Sequence, residues 1–194
     1  LTWMSSTDSN CLISQHCIAP DLVIRGSGAW QSALTKIRAL SSRPLFLGRS
    51  AATQPLRNGL ITSLVSAGLD VTPACLNHDC CEEDLSRLEA AFTVHRGDAV
   101  IAAGGGKVLD AGKLLADRLD LPCITVPLSA STCAGWTALS NLYTPEGAFL
   151  GDQALKRCPD LLVFDHDLLR QAPPRTLASG IADALAKWYE ASVR

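Results

Sequence analysis

Residues Ala99–Lys107 have the sequence AVIAAGGGK, in which a short apolar strand leads directly into three glycines and a lysine. Apolar residues then recur at helical spacing as far as Leu119, which predicts a helix with one face packed on a sheet. Glycines at such a turn let the backbone approach a ligand closely, and the first amides of the helix favour an anion. The segment therefore predicts a phosphate-binding site at Gly104–Lys107, with Asp110 one turn further on.

Glycine-rich turns also occur without a ligand, so this segment alone leaves a plain tight turn open. Two better-defined motifs are excluded. A P-loop requires glycine at position 101 and serine or threonine at position 108, where this chain has Ile101 and Val108. The dinucleotide motif G-x-G-x-x-G requires a glycine where Leu109 stands. A ligand at this turn is therefore held in some other way.

Strand and helix patterns alternate from residue 20 to residue 126. The predicted strands are 22–24, 44–47, 69–75, 99–103, 123–126 and, further along, 161–164. Helical patterns separate the first five of them, which predicts an α/β fold with a doubly wound parallel sheet and helices on both faces. Ligands of such sheets bind outside the carboxyl ends of the strands, where residues 104–107 and 127–133 lie.

The pattern changes beyond residue 127. Residues 139–143 and 148–150 flank a Pro-Glu-Gly turn and predict a β-hairpin. Residues 173–174, two prolines, introduce a last helix with an apolar face formed by Ile181, Leu185 and Trp188. Because this helix has no stop signal before Arg194, we expect the chain to be part of a longer protein. An exposed apolar face of this kind favours a homo-oligomer or disorder of the last helix.

Charge and composition exclude several classes of partner. A formal net charge of −2 gives no electrostatic footprint for nucleic acid or for an anionic membrane. No stretch approaches the roughly 20 apolar residues of a membrane span, and residues 1–10 do not have the pattern of a signal peptide. Eight cysteines form no C-x-x-C pair, which favours reduced thiols and a cytoplasmic protein.

Three segments occur in a characteristic order: GGGKVLDAGK at 104–113, VPLSASTCA at 126–134 and GIADALAKWYE at 180–190. Together with the hairpin and with PDLLVFD at 159–165, they resemble the glycerol dehydrogenase branch of the iron-containing (group III) alcohol dehydrogenases. The resemblance is clear from about Asp98 onward and weaker before it. Several motifs in order are far more specific than one glycine-rich turn.

The resemblance implies a dehydroquinate synthase-like fold and an oxidoreductase that acts on an alcohol or polyol with NAD or NADP. A divalent metal, zinc or iron, would act as Lewis acid. It also implies a dinucleotide-binding domain followed by an all-helical metal-binding domain. The strand and helix patterns divide the chain accordingly into an N-terminal extension (1–19), the α/β domain (20–165) and the beginning of the helical domain (166–194).

The resemblance also assigns roles to individual residues. The cofactor pyrophosphate and nearby ribose would be held by Gly104, Gly105, Gly106, Lys107 and Asp110. The nicotinamide half would be lined by Ser131, Thr137, Leu139 and Tyr143. Asp183 matches the family's carboxylate metal ligand, through which it would be catalytic, and Cys133 lies at a substrate position.

Three departures from the family pattern bear on ligands. Leu128 replaces a common threonine, and Cys133 replaces the aspartate of glycerol dehydrogenases, which puts glycerol itself in doubt as the substrate. Arg49 follows the second strand where NAD-preferring relatives have an acid. An arginine there could meet a 2′-phosphate, which favours NADP(H); the alternative is an exposed arginine without a ligand.

Each predicted site residue also has a purely structural alternative. Asp183 could pair with Lys187 four residues later, and Lys107 could be solvated. Ser131 and Thr132 could cap a helix that begins near Cys133. For the whole chain, the alternatives are a nucleotide-binding module without redox activity and a dehydroquinate synthase-like lyase. We also expect the chain alone to be inactive, because it contains the aspartate but not the two histidines of the family's metal site.

Overall fold

A computed structural model describes residues 19–193, so the predicted extension at 1–19 lies outside the described residues except for Ala19. The strands are β1 (Leu22–Gly26), β2 (Pro44–Gly48), β3 (Thr72–Cys75), β4 (Ala99–Gly104), β5 (Cys123–Pro127), β6 (Leu139–Tyr143), β7 (Phe149–Ala154) and β8 (Leu161–Asp165). The helices are α1 (Ala29–Leu40), α2 (Gln54–Ser66), α3 (Glu82–His95), α4 (Gly106–Leu119), α5 (His166–Leu169) and α6 (Pro174–Ser192).

Six strands form one parallel sheet in the order β1-β8-β5-β4-β2-β3. One face carries α1 and α2, whose apolar residues pack on Phe46, Ile101 and Ile124. The opposite face carries α3 and α4, which pack on Leu45 and Val100. The predicted doubly wound α/β fold is therefore confirmed. Successive strand residues alternate between the two cores because side chains alternate across a strand.

Neighbouring strands β2 and β4 lead into helices on opposite faces of the sheet. The chain leaves β2 for α2 on one face and leaves β4 for α4 on the other. Where the connections of adjacent parallel strands diverge in this way, their carboxyl ends are not covered and a crevice opens between them. The glycine-rich turn at Gly104–Lys107 lies at this crevice.

The hairpin and the last helix also form as predicted. Strands β6 and β7 pair antiparallel, with a register irregularity at Leu142/Tyr143 and a turn in which Gly147 has a φ of 90°. Helix α6 has no buried residue, and Ile181, Leu185 and Trp188 are 53%, 63% and 75% exposed. The expected apolar face of the last helix is thus open in the described structure.

Asp98 joins the end of α1 to the start of β2. Its carboxylate accepts hydrogen bonds from Ser42 N (2.8 Å), Ser42 Oγ (2.7 Å), Arg43 N (2.9 Å) and the Ser41 hydroxyl. Partial burial of Asp98 opposes its ionisation, but these hydrogen bonds outweigh that effect and hold the pKa of Asp98 below its usual value. The ionised carboxylate therefore stabilises the folded chain.

We predict that Asp98→Asn destabilises the chain by roughly 1–3 kcal/mol at pH 7, because donors that face a carboxylate lose their acceptor. The pKa of Asp98 is lower in the folded chain than in the unfolded chain, where it is about 3.9. The ionised carboxylate therefore stabilises the folded chain above about pH 3.9, and this stabilisation is lost as the pH falls through the folded pKa. The difference between wild type and variant should thus shrink below about pH 4. Urea unfolding at pH 7 and at lower pH measures it, with the exposed Asp152→Asn as control. A difference that is independent of pH would contradict this account of Asp98.

Candidate functional site

A cleft of about 270 Å³ lies between the carboxyl ends of β2 and β4. It is lined by Gly104–Val108 on one side and by Arg49, Ser50 and Thr53 on the other. The structure thereby brings together two sites that the sequence suggested separately, the glycine-rich turn and Arg49.

The N-terminus of α4 opens into this cleft without a cap. Gly105 occupies the N-cap position, and no side chain among the described residues accepts a hydrogen bond from the first helical amides. Val108 N and Leu109 N donate to Gly105 O (3.0 and 3.1 Å), which leaves the amides of Gly106 and Lys107 for a ligand. The helix dipole is positive at this end. Because α4 is 14 residues long, its N-terminus is a favourable place for an anion such as a phosphate group.

The three glycines differ in the space that surrounds them. A Cβ on Gly104 would overlap the Val108 side chain, so glycine is required there by the fold. A Cβ on Gly105 would come no closer than 3.5 Å, to Ser129 Oγ, and one on Gly106 would lie 3.2 Å from Thr132 Oγ1. Gly105 and Gly106 therefore expose backbone between the turn and the loop that follows β5.

Asp79 binds both cations that border the cleft. Arg49 Nη1 lies 2.6 Å from one carboxylate oxygen of Asp79, and Lys107 Nζ forms an ion pair with the other. The Asp79 side chain is 7% exposed, whereas Arg49 and Lys107 are 41% and 42% exposed. Lys107 Nζ also lies 4.7 Å from the ring centroid of Tyr143, which brings this predicted residue to the edge of the cleft. Asp79 was not among the site residues predicted from the sequence.

Arg57 holds in place the residues that line the side of the cleft formed by Arg49, Ser50 and Thr53. It is buried and donates to Ser50 O (2.8 Å) and Thr53 Oγ1 (2.5 Å), both in the loop that carries Arg49. A Cβ on Gly48 would overlap Arg57, so glycine at the end of β2 is what admits this side chain. Arg57 thus positions the loop and does not itself line the cleft.

Asp110, Thr137 and Leu139 gather around a buried lysine and do not line the cleft with Gly104–Lys107. Lys113 is 2% exposed; its Nζ lies 3.1 Å from Asp110 Oδ1 and donates to Thr137 O (3.2 Å), Thr137 Oγ1 (3.2 Å) and Leu139 O. Burial raises the pKa of Asp110, and Lys113 opposes that rise. The network ties α4 to the start of the hairpin, and the cofactor contacts that the resemblance implies for these residues stay predictions.

A second cleft, of about 440 Å³, contains both Cys133 and Asp183. It lies between the loop after β5 and helix α6, which approach closely because residue 180 is glycine: a Cβ there would overlap the Ala130 carbonyl oxygen. Asp183 Oδ1 lies 3.8 Å from Lys187 Nζ, so the predicted i,i+4 ion pair is present within the same cleft.

The loop from Ser129 to Thr132 separates the two clefts. Ser131 Oγ lies 3.3 Å from Ser129 Oγ, and Thr132 faces Gly106 on one side and the second cleft on the other. The alternative of a helix that begins near Cys133 is wrong, because residues 129–136 form bends and turns. A ligand that reaches from the first cleft to the second must pass this loop.

The sequence model of the iron-containing alcohol dehydrogenase family matches residues 20–166. The chain belongs to this family. An uncharacterized oxidoreductase of Synechocystis sp. is 45% identical over 176 residues, which are 91% of this chain and 45% of that protein. The glycerol dehydrogenase of Escherichia coli is 33% identical over 173 residues, 89% of this chain and 47% of that protein.

Solved structures of the family agree with the fold. The structure of a probable glycerol dehydrogenase from Sinorhizobium meliloti superimposes with a TM-score of 0.80 at 28% identity, covering 91% of this chain and 48% of that chain. The chain therefore spans about half the length of the relatives that it matches. No helix within residues 19–193 has both the length and the apolarity that a membrane span requires.

The described residues fit a dinucleotide better than they fit a catalytic metal. The uncapped α4 N-terminus, Lys107 and Arg49 suit a phosphate-bearing ligand. Catalytic zinc sites generally need three protein ligands, and among residues 19–193 no three-ligand group includes Asp183. The described residues therefore do not complete a three-ligand site around Asp183.

One group of three potential metal ligands occurs in the described part of the chain, formed by His78, Cys81 and Asp84. Asp84 already accepts hydrogen bonds from the backbone amides of Asn77 and His78 and from Arg87. Its oxygens are thus occupied in shaping the loop before α3, and we interpret this group as structural.

Proposed function

We propose that the chain forms the cofactor-binding half of an NAD(P)-dependent oxidoreductase that acts on the CH–OH group of an alcohol or polyol. The uncapped N-terminus of α4, which opens between Arg49 and Lys107 at the diverging strands, carries this proposal. Membership of the iron-containing alcohol dehydrogenase family supports it.

In this proposal, the backbone of Gly105 and Gly106 and the Lys107 ammonium hold the pyrophosphate. The nicotinamide then extends past Ser131 toward the second cleft, near Cys133 and Asp183. The nicotinamide ring supplies hydride acceptance when the cofactor is bound. Asp183 would be one ligand of a zinc or iron ion, which supplies Lewis acidity when bound. Lys187 Nζ lies 3.8 Å from Asp183 Oδ1 at this position.

Arg49 is the residue that would contact the adenosine ribose of the cofactor. It follows β2 at the edge of the first cleft and is 41% exposed. A guanidinium at this position favours a 2′-phosphate and hence NADP(H).

Titration of the chain with NADH, NADPH and ATP, followed by nicotinamide fluorescence and calorimetry, tests the proposed function. Binding of a reduced dinucleotide without binding of ATP supports the oxidoreductase. Equal or tighter binding of ATP would instead support a nucleotide-binding module without redox activity. The relatives that are named as oxidoreductases argue against the lyase alternative.

We predict that Cys133 shapes the substrate pocket without covalent chemistry. The thiol is exposed in the second cleft, and hydride transfer requires no protein nucleophile. Cys133→Ser should leave the Kd for NADH within about twofold, since one exposed contact contributes little. In a longer protein that turns over, the variant should keep most activity. Loss of turnover with intact cofactor binding would instead show that the thiol has a chemical role.

Three further proposals concern the substrate, the cellular location and self-association of the chain. We propose a small alcohol as substrate, a cytoplasmic location and self-association through the face formed by Ile181, Leu185 and Trp188. Sedimentation velocity should detect concentration-dependent association that Leu185→Glu abolishes. Association that persists unchanged in Leu185→Glu would place the contact elsewhere.

A further inference from the structure

We infer that Asp79 is a specificity-determining residue, whose carboxylate restrains Arg49 and thereby limits the affinity of the first cleft for a dinucleotide with a 2′-phosphate. The inference rests on the proposed function, because it assumes that a dinucleotide occupies this cleft. It adds a residue between β3 and α3 to a site otherwise built from the ends of β2 and β4.

The position of Asp79 is fixed by the hairpin. Tyr143 N donates to Cys80 O (2.9 Å), so strand β6 holds the residue that follows Asp79. At the turn of the same hairpin, a Cβ on Gly147 would lie 3.4 Å from Asp79 Oδ2, so the turn packs directly against the carboxylate. The carboxylate is therefore held in place, while the two cations that it binds reach it from more exposed positions.

The two ion pairs of Asp79 have different consequences for ligand binding. Lys107 adjoins the α4 N-terminus, where a pyrophosphate common to NAD and NADP would bind. Arg49 follows β2, at the position expected for the adenosine ribose. The two cofactors differ only at the 2′ position of this ribose, which carries a hydroxyl in NAD and a phosphate in NADP. Asp79 thus affects both cofactors through Lys107 and discriminates between them through Arg49.

Discrimination arises because a 2′-phosphate must compete with Asp79 for the Arg49 guanidinium. The carboxylate lies 2.6 Å from Nη1 and would also repel a phosphate brought close to it. A ribose hydroxyl carries no charge and meets no such repulsion. Asp79 therefore makes the preference for NADP(H) smaller than it would be if Arg49 had no carboxylate partner.

The test compares dissociation constants for NADH and NADPH in the full 194-residue chain and in Asp79→Asn, at low ionic strength. We expect NADPH to bind about three- to tenfold more tightly in the variant and NADH to gain less, so that the NADH-to-NADPH ratio of Kd values rises. Asp79→Glu keeps the charge and should keep the wild-type ratio. In an Arg49→Gln background, Asp79→Asn should raise the ratio less than it does in the wild type, because only the direct repulsion between Asp79 and the 2′-phosphate is then removed.

A purely structural role for Asp79 would change the affinities for NADH and NADPH by the same factor. A ratio of Kd values that stays unchanged in Asp79→Asn therefore overturns the inference and leaves the proposed function intact. Failure of the wild-type chain to bind either dinucleotide would overturn both. If Asp79→Asn does not fold, as judged by circular dichroism, Arg49→Gln alone carries the test. Restraint by Asp79 predicts that this variant loses less than about tenfold in NADPH affinity, and a larger loss would show an unrestrained arginine and overturn the inference.

Discussion

Gly106→Val should weaken dinucleotide binding by roughly 10- to 100-fold, because charge-assisted hydrogen bonds to a phosphate contribute about 1.5–3 kcal/mol each. The first carbon of the new side chain would already lie 3.2 Å from Thr132 Oγ1, so a valine would crowd the narrow space between the α4 N-terminus and the loop that carries Thr132. Helix α4 itself should persist, since Gly106 is its first residue and has no left-handed φ. Titration with NADH measures the loss.

The matched control for this variant is Gly59→Val. Gly59 lies within α2, and a Cβ there would meet nothing within 4 Å. It carries the same substitution in a helix away from the cleft, so its Kd for NADH should equal that of the wild type. If Gly106→Val stays folded and binds NADH normally, the phosphate-binding site lies elsewhere.

Gly112→Ala should destabilise the chain by roughly 1–3 kcal/mol, as expected for an overpacked core. Gly112 lies in the middle of α4, where the helix crosses β4, and an added Cβ would overlap the Cβ of Ala102. The methyl group of Ala102 is completely buried and cannot rotate away, so the helix must move off the sheet.

Gly59→Ala, which is also a glycine-to-alanine substitution within a helix, should change the free energy of unfolding in the opposite direction. With open space around it, the alanine should stabilise α2 by about 0.5–1 kcal/mol, because glycine loses more conformational entropy in a helix. Urea unfolding of the two variants should therefore give changes in the free energy of unfolding of opposite sign. Stabilisation by both substitutions would contradict the close packing of α4 on β4.

The layered fold was predictable because its signals are local. Apolar runs bounded by turns mark the central strands, and the spacing of apolar residues marks the helices between them. Even the hairpin followed from its Pro-Glu-Gly turn, although β7 extends to Ala154, beyond the predicted residue 150. Edge strand β3 is shorter than its predicted range, Thr72–Cys75 within 69–75, since nothing in an extended sequence states where pairing begins.

The site was predictable only where its chemistry is contiguous in sequence. The glycine-rich turn carries its own signal, whereas Asp79 is one acidic residue in an irregular segment, 28 positions before Lys107. Arg57 looks like a surface residue of α2 until the fold buries it under the loop after β2. Lys113 likewise gains its partners only when the hairpin packs on α4. Such contacts depend on tertiary packing, which one sequence does not encode locally.

Hydrogen–deuterium exchange with and without NADH tests most directly the central claim, that a dinucleotide binds with its phosphates at the N-terminus of α4. Saturating NADH should slow exchange in peptides that cover residues 104–109, whose first helical amides have no side-chain cap. Peptides from α1, which packs beneath the sheet away from the cleft, should exchange at unchanged rates. Binding of NADH without slower exchange at residues 104–109 would contradict the account.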